Sequence, residues 1–227
     1  VDGPLHYVEF APREPASTDR PNSTDRPDIV LVHGLGGSFV EWLALAPLLA
    51  RRHRVLAFDL PGHGLTPAAG RHLGFDGLQA LLNRFLLVTG VQRPLVVGNS
   101  LGATIAARHA SSWPGAARGV VLLDPVLPVT GRVRPHPLVL AGFAAYAVPA
   151  LGRRVLGRRR SLLSPERLIE ETFAFCCASP ERVPDDVRAA AVRMARHRRR
   201  WPPDDAAFLA AARGVVRQVC RPHAYRR

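Results

Sequence analysis

Residues Leu95–Gly102 read LVVGNSLG, an apolar run that breaks at two glycines around a serine. An alanine-rich helical pattern follows at once. This order predicts a strand, a tight turn with Ser100 at its apex, and a helix. In this setting G-x-S-x-G is typical of a nucleophile elbow, whose sharp turn holds the serine hydroxyl clear of the sheet. A glycine-rich turn without chemistry is the alternative interpretation.

Acyl-transfer chemistry explains why such a turn needs these residue types. Glycine at 98 and 102 removes Cβ atoms that would clash in the crowded turn. The N–H of Leu101, directly after the serine, then points toward an oxygen on which negative charge develops. Ser100 is therefore the candidate nucleophile.

Four apolar runs, one of which leads into the elbow, predict strands that alternate with helices. The runs are Ile29–Val32, Arg54–Leu60, Leu95–Val97 and Gly119–Leu123, and we expect all four to be buried. Parallel strands require crossover connections, so the alternation predicts an α/β fold with a mostly parallel, doubly wound sheet. A short strand is expected at Leu5–Phe10, before a polar loop, and amphipathic helices are expected at Phe39–Arg52 and Phe75–Val88.

No strand pattern returns after residue 125. Apolar periodicity and capping signals predict only helices there, with Ser164 as an N-cap before Pro165. We therefore expect the N-terminal part of a core at 1–125, a helical cap or lid at 126–220, and the start of further core at 221–227.

Composition limits the classes of partner. The 227 residues carry a formal net charge of +13, and all 31 basic residues are arginine. This excess suits an anionic partner, but the arginines are not interleaved with aromatic residues and no nucleic-acid-binding motif occurs. A compositional bias toward arginine explains the excess better, and no nucleic-acid partner is expected. The longest apolar run, Pro137–Leu151, is too short to span a membrane.

Cysteine usage bears on the compartment. The chain has three cysteines, of which Cys176 and Cys177 are adjacent. An odd count with two neighbours argues against a disulfide framework and predicts a reducing, cytoplasmic location. No metal-ligand cluster or phosphate-binding loop occurs, so we expect no metal and no cofactor. The oligomeric state stays open.

Three motifs, taken in order, resemble those of the α/β-hydrolase fold family, in the serine-nucleophile branch with a helical cap. They are His33-Gly34-Leu35-Gly36, Asp59-Leu60-Pro61-Gly62-His63-Gly64 and Gly98-Asn99-Ser100-Leu101-Gly102. The resemblance implies that Ser100 is the nucleophile and that the N–H groups of Leu35 and Leu101 form the oxyanion hole. It further implies that the elbow and the oxyanion turn are supported by His33, Gly34, Gly36, Gly98, Asn99 and Gly102.

The sequence departs from the family pattern in its last part. The family places its acid and its histidine after later strands, and neither such strands nor a late Gly-His occurs here. Asp124, after the last strand, is the candidate acid; no histidine base is found, since His223 follows no strand. We therefore expect either a fragment of an active enzyme or a degenerate relative. With no later strand, Gly119–Leu123 would be a sheet edge, and the chain would be marginally stable or self-associating.

The function expected from this resemblance is hydrolysis of an apolar carboxylic ester or acyl compound through an acyl–Ser100 intermediate. A carbon–carbon bond hydrolase of ring-cleavage products is an alternative, which Asn99 beside the nucleophile supports. A non-catalytic remnant of the fold is another, which the missing base supports. A basic surface that binds membranes or nucleic acid is the last, motivated by the arginine clusters at 153–160 and 193–200.

Overall fold

A five-stranded sheet lies at the centre of the first half of the chain. In a computed structural model, which describes residues 3–12, 26–128, 137–201 and 204–220, the strand order is β1-β3-β2-β4-β5. The strands are β1 (Tyr7–Phe10), β2 (Ile29–Val32), β3 (Val55–Phe58), β4 (Leu95–Asn99) and β5 (Gly119–Leu123). All neighbours pair in parallel except β1, which runs antiparallel to β3. The predicted α/β fold with a mostly parallel sheet is confirmed.

The register aligns the carboxyl ends of the central strands. Gly98 of β4 lies opposite Val32 of β2 on one side and opposite Leu122 of β5 on the other. The residues that follow β2 and β4 therefore leave the sheet at one edge, which is where parallel α/β sheets carry their sites.

Eight α-helices lie in the described part of the chain: α1 (Ala46–Leu49), α2 (Phe75–Val88), α3 (Leu101–Ser112), α4 (Pro137–Ala147), α5 (Pro149–Leu162), α6 (Pro165–Cys176), α7 (Asp185–Arg198) and α8 (Asp205–Val219). Helix α2 has the predicted bounds, and its apolar stripe is buried, with the ring of Phe85 stacked on Phe58 of β3. The predicted N-cap of α6 is also confirmed, since the Ser164 hydroxyl accepts the Arg167 N–H at 3.1 Å.

The single helix predicted at Phe39–Arg52 is wrong. The segment forms a 3₁₀ turn, Phe39–Trp42, and then the short helix α1. Pro47 explains the break, because it cannot donate to the fourth residue before it and its ring clashes with that carbonyl. Proline is tolerated in the first turn of a helix, and there it lies in α1. Leu48, which the predicted single helix would place on the same apolar face as the buried Trp42, is 64% exposed.

The expectation that Gly119–Leu123 is buried is also wrong. β5 is an edge strand of the described sheet, and Val121, Leu122 and Leu123 are exposed. The central strands β2 and β3, in contrast, are buried at every residue. The apolar composition of β5 is that of an interior strand, but only one of its edges is paired, with β4.

The chain divides into two compact units, Val1–Val126 and Leu127–Arg227, called here the N-terminal and C-terminal units. The C-terminal unit contains α4 to α8. Its buried apolar side chains belong mainly to α8, and Phe208 of α8 makes an edge-on ring contact with Tyr146 of α4. Between the described helices run ion pairs such as Arg160 with Asp205 and Arg196 with Glu166. None of the described helices is both long and apolar enough to cross a membrane.

Candidate active site

Ser100 occupies a strained turn between β4 and α3. Its backbone angles are φ +50° and ψ −112°, which few residues other than glycine adopt. Such strain persists only where the surroundings fix it, and it is concentrated at functional sites. The structure thus has the strand, turn and helix predicted for an elbow.

The two glycines of the motif are required by close backbone contacts. A Cβ on Gly98 would lie 2.3 Å from the carbonyl oxygen of Gly102. A Cβ on Gly102 would lie 2.1 Å from the carbonyl oxygen of Val32, at the end of β2. Both distances are far below van der Waals contact, and backbone atoms cannot rotate away. The turn can therefore close only with glycine at both positions.

The elbow is also attached to the edge strand. The Ser100 N–H donates to the Leu123 carbonyl at 2.8 Å. Thr104, buried in α3, has its hydroxyl 3.3 Å from the Ser100 carbonyl oxygen, and this hydroxyl accepts the Val126 N–H at 3.1 Å. The backbone of Ser100 is thus fixed from β5 and from the first turn of α3.

The loop that carries the candidate oxyanion hole lies against the elbow. A Cβ on Gly34 would lie 3.5 Å from the Cβ of Ser100, which is ordinary contact. Gly36 has φ +77°, so the loop turns in a left-handed conformation directly after Leu35. Within the described residues, the N–H groups of Leu35 and Leu101 donate to no other group. Both remain able to bind an oxygen.

His33 fixes this loop and is not free to act as a base. Its side chain is fully buried, Nδ1 donates to the Gly34 carbonyl at 2.7 Å, and Nε2 accepts the Leu60 N–H at 2.9 Å. Burial, with His63 close by, lowers the pKa of His33 from 6.5 to about 3. The imidazole is therefore neutral near pH 7, and both of its nitrogens are engaged.

Glu41 joins the two halves of the site and was not predicted. One carboxylate oxygen accepts the Gly34 N–H at 3.1 Å, and the other accepts the Asn99 side-chain N–H at 2.5 Å. Desolvation of the carboxylate raises the pKa of Glu41, and these two hydrogen bonds oppose the rise. The sequence does hold a signal, because Ser38 and Glu41 have the spacing of a capping box. That signal indicates a bond back to residue 38 and not a link to the elbow.

Asp59, in the second motif, holds loops together. It is completely buried and accepts the N–H groups of Phe39 at 2.6 Å and of Leu65 at 2.8 Å, with Nδ1 of His6 also at 2.8 Å. Burial raises the pKa of the Asp59 carboxyl, and these donors lower it in part. A Cβ on Gly64 would overlap this carboxylate, which explains the glycine. The motif therefore has a structural role.

The acid and base of the site are not brought together among the described residues. Asp124 follows β5 with φ +46°, and its side chain is exposed. No described histidine forms a hydrogen bond with the Ser100 hydroxyl. His223 lies outside the described residues. Within the described ranges, no group of three or more His, Cys, Asp or Glu side chains is placed to hold a metal ion.

Known proteins are similar to this chain in sequence. Residues 27–162 match the family described as alpha/beta hydrolase fold. The chain is 34% identical over 98 residues to the dihydrolipoyllysine-residue acetyltransferase component of the acetoin cleaving system of Cupriavidus necator, covering 43% of this chain and 26% of that protein. It is also 29% identical over 131 residues to RutD of Escherichia coli (strain UTI89 / UPEC), a protein named as a carbamate hydrolase. This alignment covers 56% of the chain and 48% of RutD.

A solved structure extends the likeness across both units. Cfl2 of Burkholderia cenocepacia aligns with a TM-score of 0.74 and 25% identity, over 96% of this chain and 69% of Cfl2. Of the two curated relatives described before Cfl2, the chain spans less than half the length in each case.

Proposed function

Because the chain belongs to the alpha/beta hydrolase fold family, whose members are hydrolases, we propose that it is a serine hydrolase of carboxylic esters or related acyl compounds, with Ser100 as the nucleophile. One observation carries the proposal: Ser100 stands at a positive-φ turn that Gly98 and Gly102 permit, beside the Gly34 loop. A plain glycine-rich turn has no need to place a serine in a strained conformation.

The proposed reaction has two halves. The Ser100 hydroxyl attacks the substrate carbonyl and gives its proton to a general base, and the N–H groups of Leu35 and Leu101 bind the oxyanion. The alcohol leaves with the proton, and an acyl group remains on Ser100. Water then attacks this acyl–enzyme, releases the acid, and restores the serine hydroxyl.

Glu41 has a positioning role in this scheme. Its carboxylate binds the Gly34 N–H, one residue before the Leu35 N–H, and also binds the amide next to Ser100. These two bonds tie the backbone that leads to the Leu35 donor to Asn99, the residue before the nucleophile. An oxyanion hole acts through donors that are oriented before reaction, so this rigidity supports catalysis.

The proposal still needs an acid and a base. Asp124 stays the proposed acid, because β5 pairs with β4 and both strands end at the same edge of the sheet. His33 is unsuitable as the base, since both of its nitrogens are bonded. His223 is the histidine to test first.

The name of one relative supports acyl chemistry. RutD is named for carbamates, which share with esters a carbonyl attached to a leaving group. We propose an apolar ester or acyl substrate, because α4, the first described helix of the C-terminal unit, has the sequence PLVLAGFAAYA with no charged residue. Hydrolysis of a carbon–carbon bond is the second candidate function, and Asn99 beside Ser100 supports it.

The test is hydrolysis of 4-nitrophenyl acetate by the 227-residue chain, by Ser100→Ala and by Ser111→Ala, an exposed serine of α3 that serves as control. We expect turnover in the wild type and the control and its loss, by roughly a thousandfold or more, in Ser100→Ala. Equal turnover in all three would exclude Ser100 as the nucleophile. A folded wild type with no turnover would favour the non-catalytic remnant, and activity on vinylogous diketones alone would favour the second candidate.

A further inference from the structure

Nearly all of the net positive charge of the chain lies in one unit. The N-terminal unit has 11 arginines and 10 acidic residues, whereas the C-terminal unit has 20 arginines and 8 acidic residues. A compositional bias toward arginine would act on both units alike. The unequal distribution instead indicates that the C-terminal unit has a use for its charge.

Helix α5 concentrates this charge. Its 14 residues include five arginines and no acidic residue. Two arginines hold neighbouring helices, because Arg159 pairs with Glu171 and Arg160 pairs with Asp205. The other three, Arg153, Arg154 and Arg158, are exposed, and none forms an ion pair with a described residue.

Exposed apolar side chains lie beside these arginines. Leu151 and Leu162 are 47% and 68% exposed. At about 100° of rotation per residue, Arg154 and Arg158 lie on the solvent side of α5 directly next to Leu151 and Leu162. The opposite side carries Gly152, which is buried against Leu209 of α8. Helix α5 therefore has one packed side and one side where arginine and leucine alternate in solvent.

We propose that the solvent side of α5, made of Leu151, Arg154, Arg158 and Leu162, binds the surface of membranes that contain anionic phospholipids. A surface helix with basic side chains and exposed leucines suits the boundary between headgroups and acyl chains. The arginines bind phosphate oxygens, and the leucines enter the acyl boundary. The inference goes beyond the proposed hydrolase function and holds whether or not Ser100 reacts.

The leucines distinguish a membrane from a nucleic acid as the partner. Nucleic-acid phosphates are bound by basic side chains such as arginine, and proteins that bind single strands also stack aromatic side chains on the bases. The solvent side of α5 has no aromatic residue, and its two leucines would stay in water on a duplex. On a bilayer the same leucines lose their contact with water, which is favourable.

The experiment is flotation of the full chain with vesicles of phosphatidylcholine, with and without phosphatidylglycerol. We expect binding to the anionic vesicles only, weakening as salt is raised. Each arginine at the surface contributes about fivefold in affinity, so Arg154→Gln/Arg158→Gln should bind roughly 25-fold more weakly. Leu151→Ser/Leu162→Ser should lower affinity roughly tenfold with the charge unchanged.

A matched control removes the same charge elsewhere in the C-terminal unit: Arg182→Gln/Arg193→Gln, both exposed and outside α5. We expect it to keep most of the binding. An equal loss in the control, equal binding to neutral vesicles, or no binding at all would overturn the proposal. Tighter binding of duplex DNA with the same dependence on α5 would also overturn it and favour a nucleic acid.

Discussion

The N-terminal unit buries an apolar sheet and keeps its charges nearly balanced, whereas the C-terminal unit buries little and carries most of the arginine excess. Among the described residues of the C-terminal unit, the buried side chains are few and mostly small: Val187, Ala207, Leu209, Ala211, Ala212, Val215 and Gln218. Helix α6 buries none of its residues. Ion pairs between half-exposed side chains link the helices of the C-terminal unit instead.

The difference teaches which changes each unit can absorb. At the elbow of the N-terminal unit, backbone atoms approach one another so closely that a single added atom cannot be accommodated. Surface ion pairs in the C-terminal unit are individually weak and depend on ionic strength. Substitutions of matched type in the two units should therefore have effects of different size and even of opposite sign.

The largest effect is expected for Gly102→Ala in the N-terminal unit. The new Cβ would lie 2.1 Å from the Val32 carbonyl oxygen, and neither backbone can rotate away. We expect the free energy of unfolding to fall by about 3 kcal/mol or more, measured by urea unfolding. Gly74→Ala is the control, because nothing lies within 4 Å of its Cβ position. Equal stability of the two variants would contradict the close approach at the elbow.

Acid should destabilise the N-terminal unit through His33. The unfolded chain binds a proton at this residue near pH 6.5, but the folded chain does so only near pH 3. Below about pH 6.5 the unfolded state therefore binds more protons, and the free energy of unfolding falls as the pH falls. The loss due to His33 by pH 5 is roughly 2 kcal/mol.

Urea unfolding at pH 7 and pH 5 checks this dependence. His33→Gln should be less stable at pH 7 and should lose less stability on acidification than the wild type. His53→Gln is the control, since among the described residues its imidazole contacts only the Pro27 carbonyl, and it should keep the wild-type dependence. If His33→Gln also keeps it, another group is responsible.

A smaller effect is expected from an ion pair of the C-terminal unit. Both guanidinium nitrogens of Arg160 contact the Asp205 carboxylate, which is largely shielded from solvent. Arg160→Gln should cost about 1 kcal/mol at low salt and less at high salt, measured by thermal unfolding. Arg153→Gln, without an ion pair among the described residues, should change stability by less than about 0.5 kcal/mol. A cost for Arg160→Gln that does not depend on salt would exclude an electrostatic origin.

The smallest effect has the opposite sign. Gly157 lies inside α5 with nothing within 4 Å of its Cβ position, so Gly157→Ala should stabilise by about 0.5–1 kcal/mol. Gly152→Ala in the same helix should destabilise, because its Cβ would lie 2.5 Å from a methyl group of buried Leu209. Thermal unfolding of both variants compares them. Destabilisation by Gly157→Ala would show that α5 is packed on both sides.

Local patterns were enough to predict the central sheet and α2. Continuous apolar runs such as Ile29–Val32 are specific to buried parallel strands, and glycines on both sides of Ser100 left few alternatives to a tight turn. For β5 the two sequence arguments disagreed: its apolar composition predicted burial, which is wrong, whereas the lack of a later strand pattern predicted the edge position that β5 has in the described sheet. Pro47 argues against a single helix over Phe39–Arg52, but the prediction followed the helical spacing of the apolar residues around it.

The polar connections of the site were beyond sequence reasoning. Glu41 carries a signal for a local cap, yet its carboxylate binds Gly34 and Asn99. Asp59 accepts from Phe39 and Leu65, as well as from His6, and no spacing rule links three such distant segments. Contacts of this kind depend on how strands are ordered in the sheet, and only the tertiary structure supplies that order.

The hydrogen bond from the Ser100 N–H to the Leu123 carbonyl has a consequence for amide hydrogen exchange. An edge strand opens more readily than an interior one, because fewer contacts hold it. Each time β5 detaches, the Ser100 amide loses its acceptor and becomes exchangeable with solvent deuterium. The protection of this one amide therefore reports how often the sheet edge opens, at the residue on which the proposed chemistry depends.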